Sequence, residues 1–217
     1  GLNTASFLAG YPGSPLAGLN FEIENAKSLV PDLPIVHRPL LNEEHGATAV
    51  MGSQLAAEQQ DCAFDGIVGF WYGKAPGLDR AGDALRHAVF TGTSRLGGAV
   101  AIVGDDPAAK SSTLPSSSDA TLFDLHMPIL YPGDVQEILT LGMHAVSLSR
   151  LTGAWTALKV VDAVADGSGT IDLASTIIEP IVPNLEIEGV QYEHRPDAKL
   201  LPPNNLALEP WMLNFTC

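Results

Sequence analysis

Ile35-Val36-His37-Arg38-Pro39-Leu40-Leu41-Asn42-Glu43-Glu44-His45-Gly46-Ala47-Thr48-Ala49-Val50-Met51 runs from a strand-like apolar segment directly into small residues with helical spacing. Asn42 stands where a helix N-cap is needed, because its side-chain oxygen can accept from a backbone N–H left free in the first turn. The same step recurs along the chain. Further short apolar runs occupy 5–10, 66–71, 98–103, 127–131 and 155–161, and helical spacing recurs over 16–30, 43–60, 79–93 and 134–151. Asp79 and Asp134 open the later helices as caps. The strand runs are continuously apolar instead of alternating, as a parallel sheet covered on both faces requires, and the alternation implies right-handed βαβ crossovers. The expected fold is α/β, a three-layer, doubly wound, mostly parallel sheet.

The composition narrows the function classes. Eleven Lys+Arg against 25 Asp+Glu give a formal charge of -14, which repels nucleic-acid backbones and anionic membrane surfaces. With 46% hydrophobic and 17% charged residues the chain is expected to fold as a globule, and no apolar run approaches the roughly 20 residues that span a bilayer. Cys62 and Cys217 form no Cys-x-x-Cys, so a disulfide framework, a zinc cage and an iron–sulfur cluster lack ligands here, and a reducing, cytoplasmic setting is expected. The chain opens on Gly1-Leu2-Asn3 without a signal-like segment and is expected to be part of something longer. We divide it into a domain over 1–165 and an irregular arm or linker over 166–217, where Pro180, Pro183, Pro196, Pro202, Pro203 and Pro210 break most helical options.

Three segments are candidates for chemistry. In Tyr11-Pro12-Gly13-Ser14-Pro15 two prolines fix φ and Gly13 permits a bend, which presents Ser14 at the end of the first strand; a purely structural turn has the same composition. Glu43 and Glu44 sit at a helix mouth. There a carboxylate either complements the helix dipole or, if held out of water, shares a proton with a bound ring; burial decides between the two. The polar, aperiodic stretch 105–118 follows a core strand, at the edge where open α/β sheets bind ligands. His87 is a lone helical histidine, a type of residue more often solvated than catalytic. Neither a Gly-x-Ser-x-Gly elbow, nor a Gly-x-Gly-x-x-Gly turn, nor a Walker loop occurs in the strand-to-helix settings, which disfavours a hydrolase and the usual nucleotide folds.

Four blocks in order carry a resemblance: Gly10 to Pro15, Asn42 to Val50, Tyr72-Gly73-Lys74-Ala75-Pro76-Gly77-Leu78-Asp79-Arg80 with the helix to His87, and Gly104-Asp105-Asp106-Pro107-Ala108-Ala109-Lys110-Ser111-Ser112-Thr113-Leu114-Pro115. Together they resemble the pyrimidine-binding domain of indolepyruvate ferredoxin oxidoreductase in its long single-chain form, a thiamine-diphosphate-dependent 2-oxoacid oxidoreductase. The resemblance covers roughly 1–165. It implies a Glu hydrogen-bonded to N1′ of the cofactor's aminopyrimidine, which promotes loss of the thiazolium C2 proton and decarboxylation of the 2-oxoacid. Glu44 is matched to that Glu, with Glu43 as its rival in register. Pro12, Gly13 and Ser14 match the loop beside the reacting carbon, and Asp106, Lys110 and Ser111 match a polar loop near the site. Roles for Lys74, Arg80, Arg86 and His87 are not implied.

The family's Gly-Asp-Gly diphosphate motif and its cysteine clusters do not occur in this sequence. The resemblance therefore implies a half-site that needs a diphosphate-binding domain and a γ-type domain. Mg²⁺ and [4Fe-4S] clusters would lie elsewhere, with ferredoxin and coenzyme A as reaction partners, a homodimeric assembly, and no activity in isolation. Two alternatives stand beside it: a non-catalytic module of this fold used for subunit assembly, and a related oxidoreductase acting on pyruvate or 2-oxoglutarate.

Overall fold

Six apolar segments pair into one sheet in the computed structural model, which describes residues 1–110, 112–176, 180–191 and 195. They are β1 (Thr4–Gly10), β2 (Ile35–Pro39), β3 (Gly66–Lys74), β4 (Gly98–Asp105), β5 (Ile129–Leu130) and β6 (Trp155–Val161). Their order is β2-β1-β3-β4-β6-β5, and every neighbouring pair is parallel. The seven helices described are α1 (Leu19–Leu29), α2 (Glu43–Ala56), α3 (Ala75–Arg80), α4 (Gly82–Thr91), α5 (Asp119–Asp124), α6 (Val135–Thr152) and α7 (Asp162–Ala165).

The central strands β3, β4 and β6 bury both faces, which is why their sequences are almost continuously apolar, whereas the edge strand β2 is largely exposed. On one face Ala9, Trp71, Ala99, Ala101, Val103, Trp155 and Ala157 pack with Ala47 and Val50 of α2, Leu78 of α3, Leu85 and Val89 of α4 and Leu122 of α5. On the other, Tyr72, Val100, Leu158 and Val160 meet Leu19 and Ile23 of α1, Ala145 of α6 and Val164 of α7. The result is a three-layer, doubly wound α/β fold, consistent with a thiamine-diphosphate pyrimidine domain.

Asn42 and Asp134 cap α2 and α6 as expected, each accepting a backbone N–H three residues on, at 2.9 and 2.8 Å. Asp79 does not cap a helix. It lies inside α3, which starts earlier because Pro76 in its first turn has the φ that a helix start needs, and the helical path breaks at Ala81 before α4. The opening helix likewise begins at Leu19, beyond Pro15 and Gly18, and leaves Leu16 as a core residue. The short α5 follows directly on the aperiodic stretch 105–118, outside the expected helices. Of the 166–217 arm, the described residues include a 3-10 turn at Ala174–Thr176 and a hairpin of β7 (Glu186–Ile187) with β8 (Val190–Gln191). Glu188 and Gly189 turn that hairpin at φ 52 and 79, the left-handed pair of a type I′ turn. Arg195 donates to the Arg150 carbonyl at 2.6 Å and to the Thr93 carbonyl, at the end of the sheet where β4 and β6 begin. Residues 177–179, 192–194 and 196–217 of the arm lie outside the described residues.

Close backbone approach seats α2 on the sheet. A Cβ on Gly46 would come within 2.8 Å of the Gly10 Cα, and one on Gly10 within 2.1 Å of the Tyr72 carbonyl oxygen. On the opposite face the Tyr72 hydroxyl meets His37 Nε2 at 3.0 Å, and His37 Nδ1 meets Glu24 at 2.7 Å. The hydrogen bond from His37 lowers the Glu24 pKa, and burial pushes the Tyr72 phenol up to about 12.

Two outcomes are expected. Gly10→Ala forces Cβ against backbone and lowers stability by about 1–3 kcal/mol, as overpacking does, read as a lower thermal midpoint. A phenol with a raised folded pKa stabilises fully below its unfolded value and loses that contribution as pH rises through the folded one. Stability therefore falls between pH 10.0 and about 12, by about 3 kcal/mol at full loss at 1.36 kcal/mol per pH unit. Urea unfolding across that window shows a flatter pH slope for Tyr72→Phe than for the parent.

Candidate functional site

The chain order reverses on either side of β1, because β2 pairs with one flank and β3 with the other. Such a switch point opens a crevice at the C-terminal ends of the strands. The turn after β1 crosses this edge. Lys74 at the end of β3 runs its aliphatic stem past Gly13, where a Cβ would stand 3.1 Å from Lys74 Cδ; Pro15 covers the end of β4, 2.8 Å from a Cβ on Gly104. The Leu16 N–H donates to the Gly13 carbonyl at 2.7 Å and closes the turn. Pro12, Gly13 and Ser14 are half-buried here.

Glu43, the first residue of α2, is 8% exposed and buried at this crevice, whereas Glu44 is exposed. Successive helical residues point about 100° apart, so only one of the pair can face the sheet. Two contacts select Glu43. The Trp71 indole N–H donates to the Glu43 carbonyl at 2.9 Å, and Gly77 makes room for the carboxylate, since a Cβ there would stand 2.5 Å from Glu43 Oε1. Of the two, Glu44, which the resemblance matches to the activating Glu, is thus the solvent-facing one, and its rival in register, Glu43, is the buried one. Among the described residues no hydrogen bond reaches the Glu43 carboxylate. A buried, unengaged carboxylate beside a glycine cradle can accept a proton from, or share one with, a ring nitrogen of a ligand. An aminopyrimidine fits that donor set. No group of three metal-ligating side chains occurs among the described residues, and no helix among them is long and apolar enough to cross a membrane.

The loop after β4 is organised from within. Asp106 is buried; its N–H donates to Ser116 Oγ at 3.2 Å and its carboxylate accepts from the Lys110 N–H at 2.8 Å. The Lys110 side chain turns outward to Asp166, 2.8 Å away, and that hydrogen bond raises its pKa. Asp106 therefore shapes the loop and Lys110 ties it to the turn after α7; Ser111 lies outside the described residues. His87 is exposed on α4, donating to the Asp83 carbonyl, Arg86 pairs with Asp124, and Arg80 is exposed.

One centre escaped the sequence reading. Asp105 accepts from the N–H and Oγ of Ser118, at 2.9 and 3.0 Å, which closes the loop at its neck. Lys159 of β6 lies 3.3 Å from Asp105 and 2.6 Å from Asp119, with the Tyr131 ring 4.7 Å from its ammonium. Burial works against the Lys159 charge, but the hydrogen bond to Asp119 and the charge of Asp105 outweigh it and hold the pKa above the ordinary value. The bonds from Lys159 and Ser117 lower the Asp119 pKa. A single lysine inside the apolar run 155–161 was the available signal, because a charge in a buried strand needs a partner.

No family model matches the chain. It is 28% identical over 170 residues to the indolepyruvate oxidoreductase subunit IorA of Methanothermobacter thermautotrophicus, an alignment covering 78% of this chain and 25% of that protein. The chain thus spans about a quarter of the length of the curated relative it matches. The similarity agrees with the resemblance drawn from the four sequence blocks.

Lys159→Met strands the buried Asp105 without its cation and is expected to cost about 3–5 kcal/mol in urea unfolding. Asp119→Asn, at a largely exposed side chain, is expected to cost under about 1 kcal/mol.

Proposed function

We propose that this relative of the 2-oxoacid:ferredoxin oxidoreductases provides the aminopyrimidine-binding half of a thiamine-diphosphate site, with Glu43 as its acid–base residue. The observation that carries the reading is the buried, unengaged Glu43 carboxylate at the switch point of the sheet. The chemistry supplied by bound thiamine diphosphate is that of an electron sink for 2-oxoacid decarboxylation. Glu43 would hold a proton at N1′ of the aminopyrimidine, while Trp71 fixes its backbone carbonyl and Gly77 leaves room for its carboxylate. The Ser14 hydroxyl, on the turn after β1, would contact the reacting 2-oxo carbonyl. Asp106, through its bonds to Ser116 and the Lys110 N–H, would set the loop that borders the substrate.

The half-site needs a lid from outside. Leu41 and Leu114, 83% and 70% exposed, and Tyr11 are large apolar side chains on the loops at this edge, and they favour coverage by a diphosphate-binding domain. Within that assembly, a homodimer in this reading, Mg²⁺, [4Fe-4S] clusters and a γ-type domain would reside in other domains. The substrate would be an aryl 2-oxoacid such as indolepyruvate, with the acyl group passed to coenzyme A and electrons to ferredoxin, in a cytoplasmic enzyme.

In the full-length protein with thiamine diphosphate and Mg²⁺, Glu43→Gln is expected to lower turnover by about 10²- to 10⁴-fold with cofactor binding retained, as loss of an acid–base group does. Glu44→Gln is expected to stay within a few-fold of the parent. Full turnover in Glu43→Gln, or the loss appearing in Glu44→Gln instead, overturns the assignment; faster decarboxylation of pyruvate or 2-oxoglutarate than of indolepyruvate and phenylpyruvate overturns the aryl substrate.

A further inference from the structure

Charge pairing across the described residues leaves one partly buried cation unexplained. Of the lysines and arginines that are at least partly buried, Lys27, Arg86 and Lys159 pair with carboxylates, and Arg150 and Arg195 donate to backbone carbonyls. Lys74 is half-buried and has neither, among the described residues of a chain in which acids outnumber bases 25 to 11. Its position is not incidental. Lys74 ends β3 at the switch point, its stem packs on Gly13 next to Ser14, and Gly73 and Gly77 on either side of it border Glu43. The packed stem roots Lys74 at the strand end that borders the crevice. Its ammonium lies within ion-pair distance of no described carboxylate.

We propose that Lys74 is the anion-recognising residue of this crevice and takes the carboxylate of the 2-oxoacid, with Ser14 beside it on the reacting carbonyl. The inference rests on the thiamine-site reading above. An ammonium is a compact charge with three donors, suited to a small carboxylate that arrives and leaves with each turnover. The cofactor's diphosphate offers the same charge chemistry from a second source, and the experiment separates the two.

In the full-length protein, Lys74→Met is expected to raise KM for indolepyruvate by about 10- to 100-fold, the worth of a charge-assisted hydrogen bond, with kcat changed far less. Thiamine diphosphate affinity, titrated with Mg²⁺, stays unchanged, and Lys74→Arg recovers most of the KM. Calorimetric titration of phenylpyruvate into the Glu43→Gln enzyme reads the same contact without turnover, and adding Lys74→Met is expected to weaken it by a similar factor. Unchanged KM and phenylpyruvate affinity overturn the proposal, and a loss confined to thiamine diphosphate affinity reassigns the cation to the diphosphate and overturns it as well. Should Glu43→Gln retain full turnover while Lys74→Met still weakens phenylpyruvate binding, the acid–base reading fails and the carboxylate contact stands.

Discussion

The approach of α2 to the sheet governs this molecule. Gly46 lies against Gly10, and the Trp71 indole reaches from β3 to the Glu43 carbonyl in the first turn. The helix cannot rotate or lift without breaking a buried hydrogen bond and opening a void around a fully buried tryptophan. Its rotation in turn decides which carboxylate of an adjacent pair leaves water. The chemical character of the edge is therefore a packing outcome, set by residues without reactive groups.

The polar interactions divide by burial into two kinds. Lys110 with Asp166 and Arg86 with Asp124 are solvent-exposed pairs, screened by water, and they trim the outside of loops. Lys159 with Asp105 is a buried pair whose members cannot be removed singly without leaving a charge in low dielectric. Asp105 also binds Ser118, so the same carboxylate joins the end of β4, the start of α5 and the middle of β6. The rigid part of the edge is thus built from buried groups, and Lys74 stands out against it as a cation without such a partner.

The strand-to-helix alternation was legible because a doubly covered parallel strand has no polar face, and Asn42 and Asp134 were legible because capping is a local interaction. The choice between Glu43 and Glu44 was not, since it depends on Gly77, more than thirty positions along the chain and on another helix. The start of α3 was missed because Pro76 reads as a breaker when its place in a first turn is unknown. The partners of Lys159 come from two other elements that only the sheet order brings to β6. Turn chemistry at Tyr11 to Pro15 was visible, but its cover over β4 required the crossing to be seen.

Tying Asp105 to Ser118 has an evolutionary corollary. A segment whose two ends are joined by buried bonds leaves the sheet and returns to it at one point, so its length is decoupled from strand register. Lengthening such a segment costs little, roughly 0.6 kcal/mol for each doubling. Residues between Pro107 and Pro115 can then be exchanged as a cassette that changes what borders the crevice while the framework beneath stays intact.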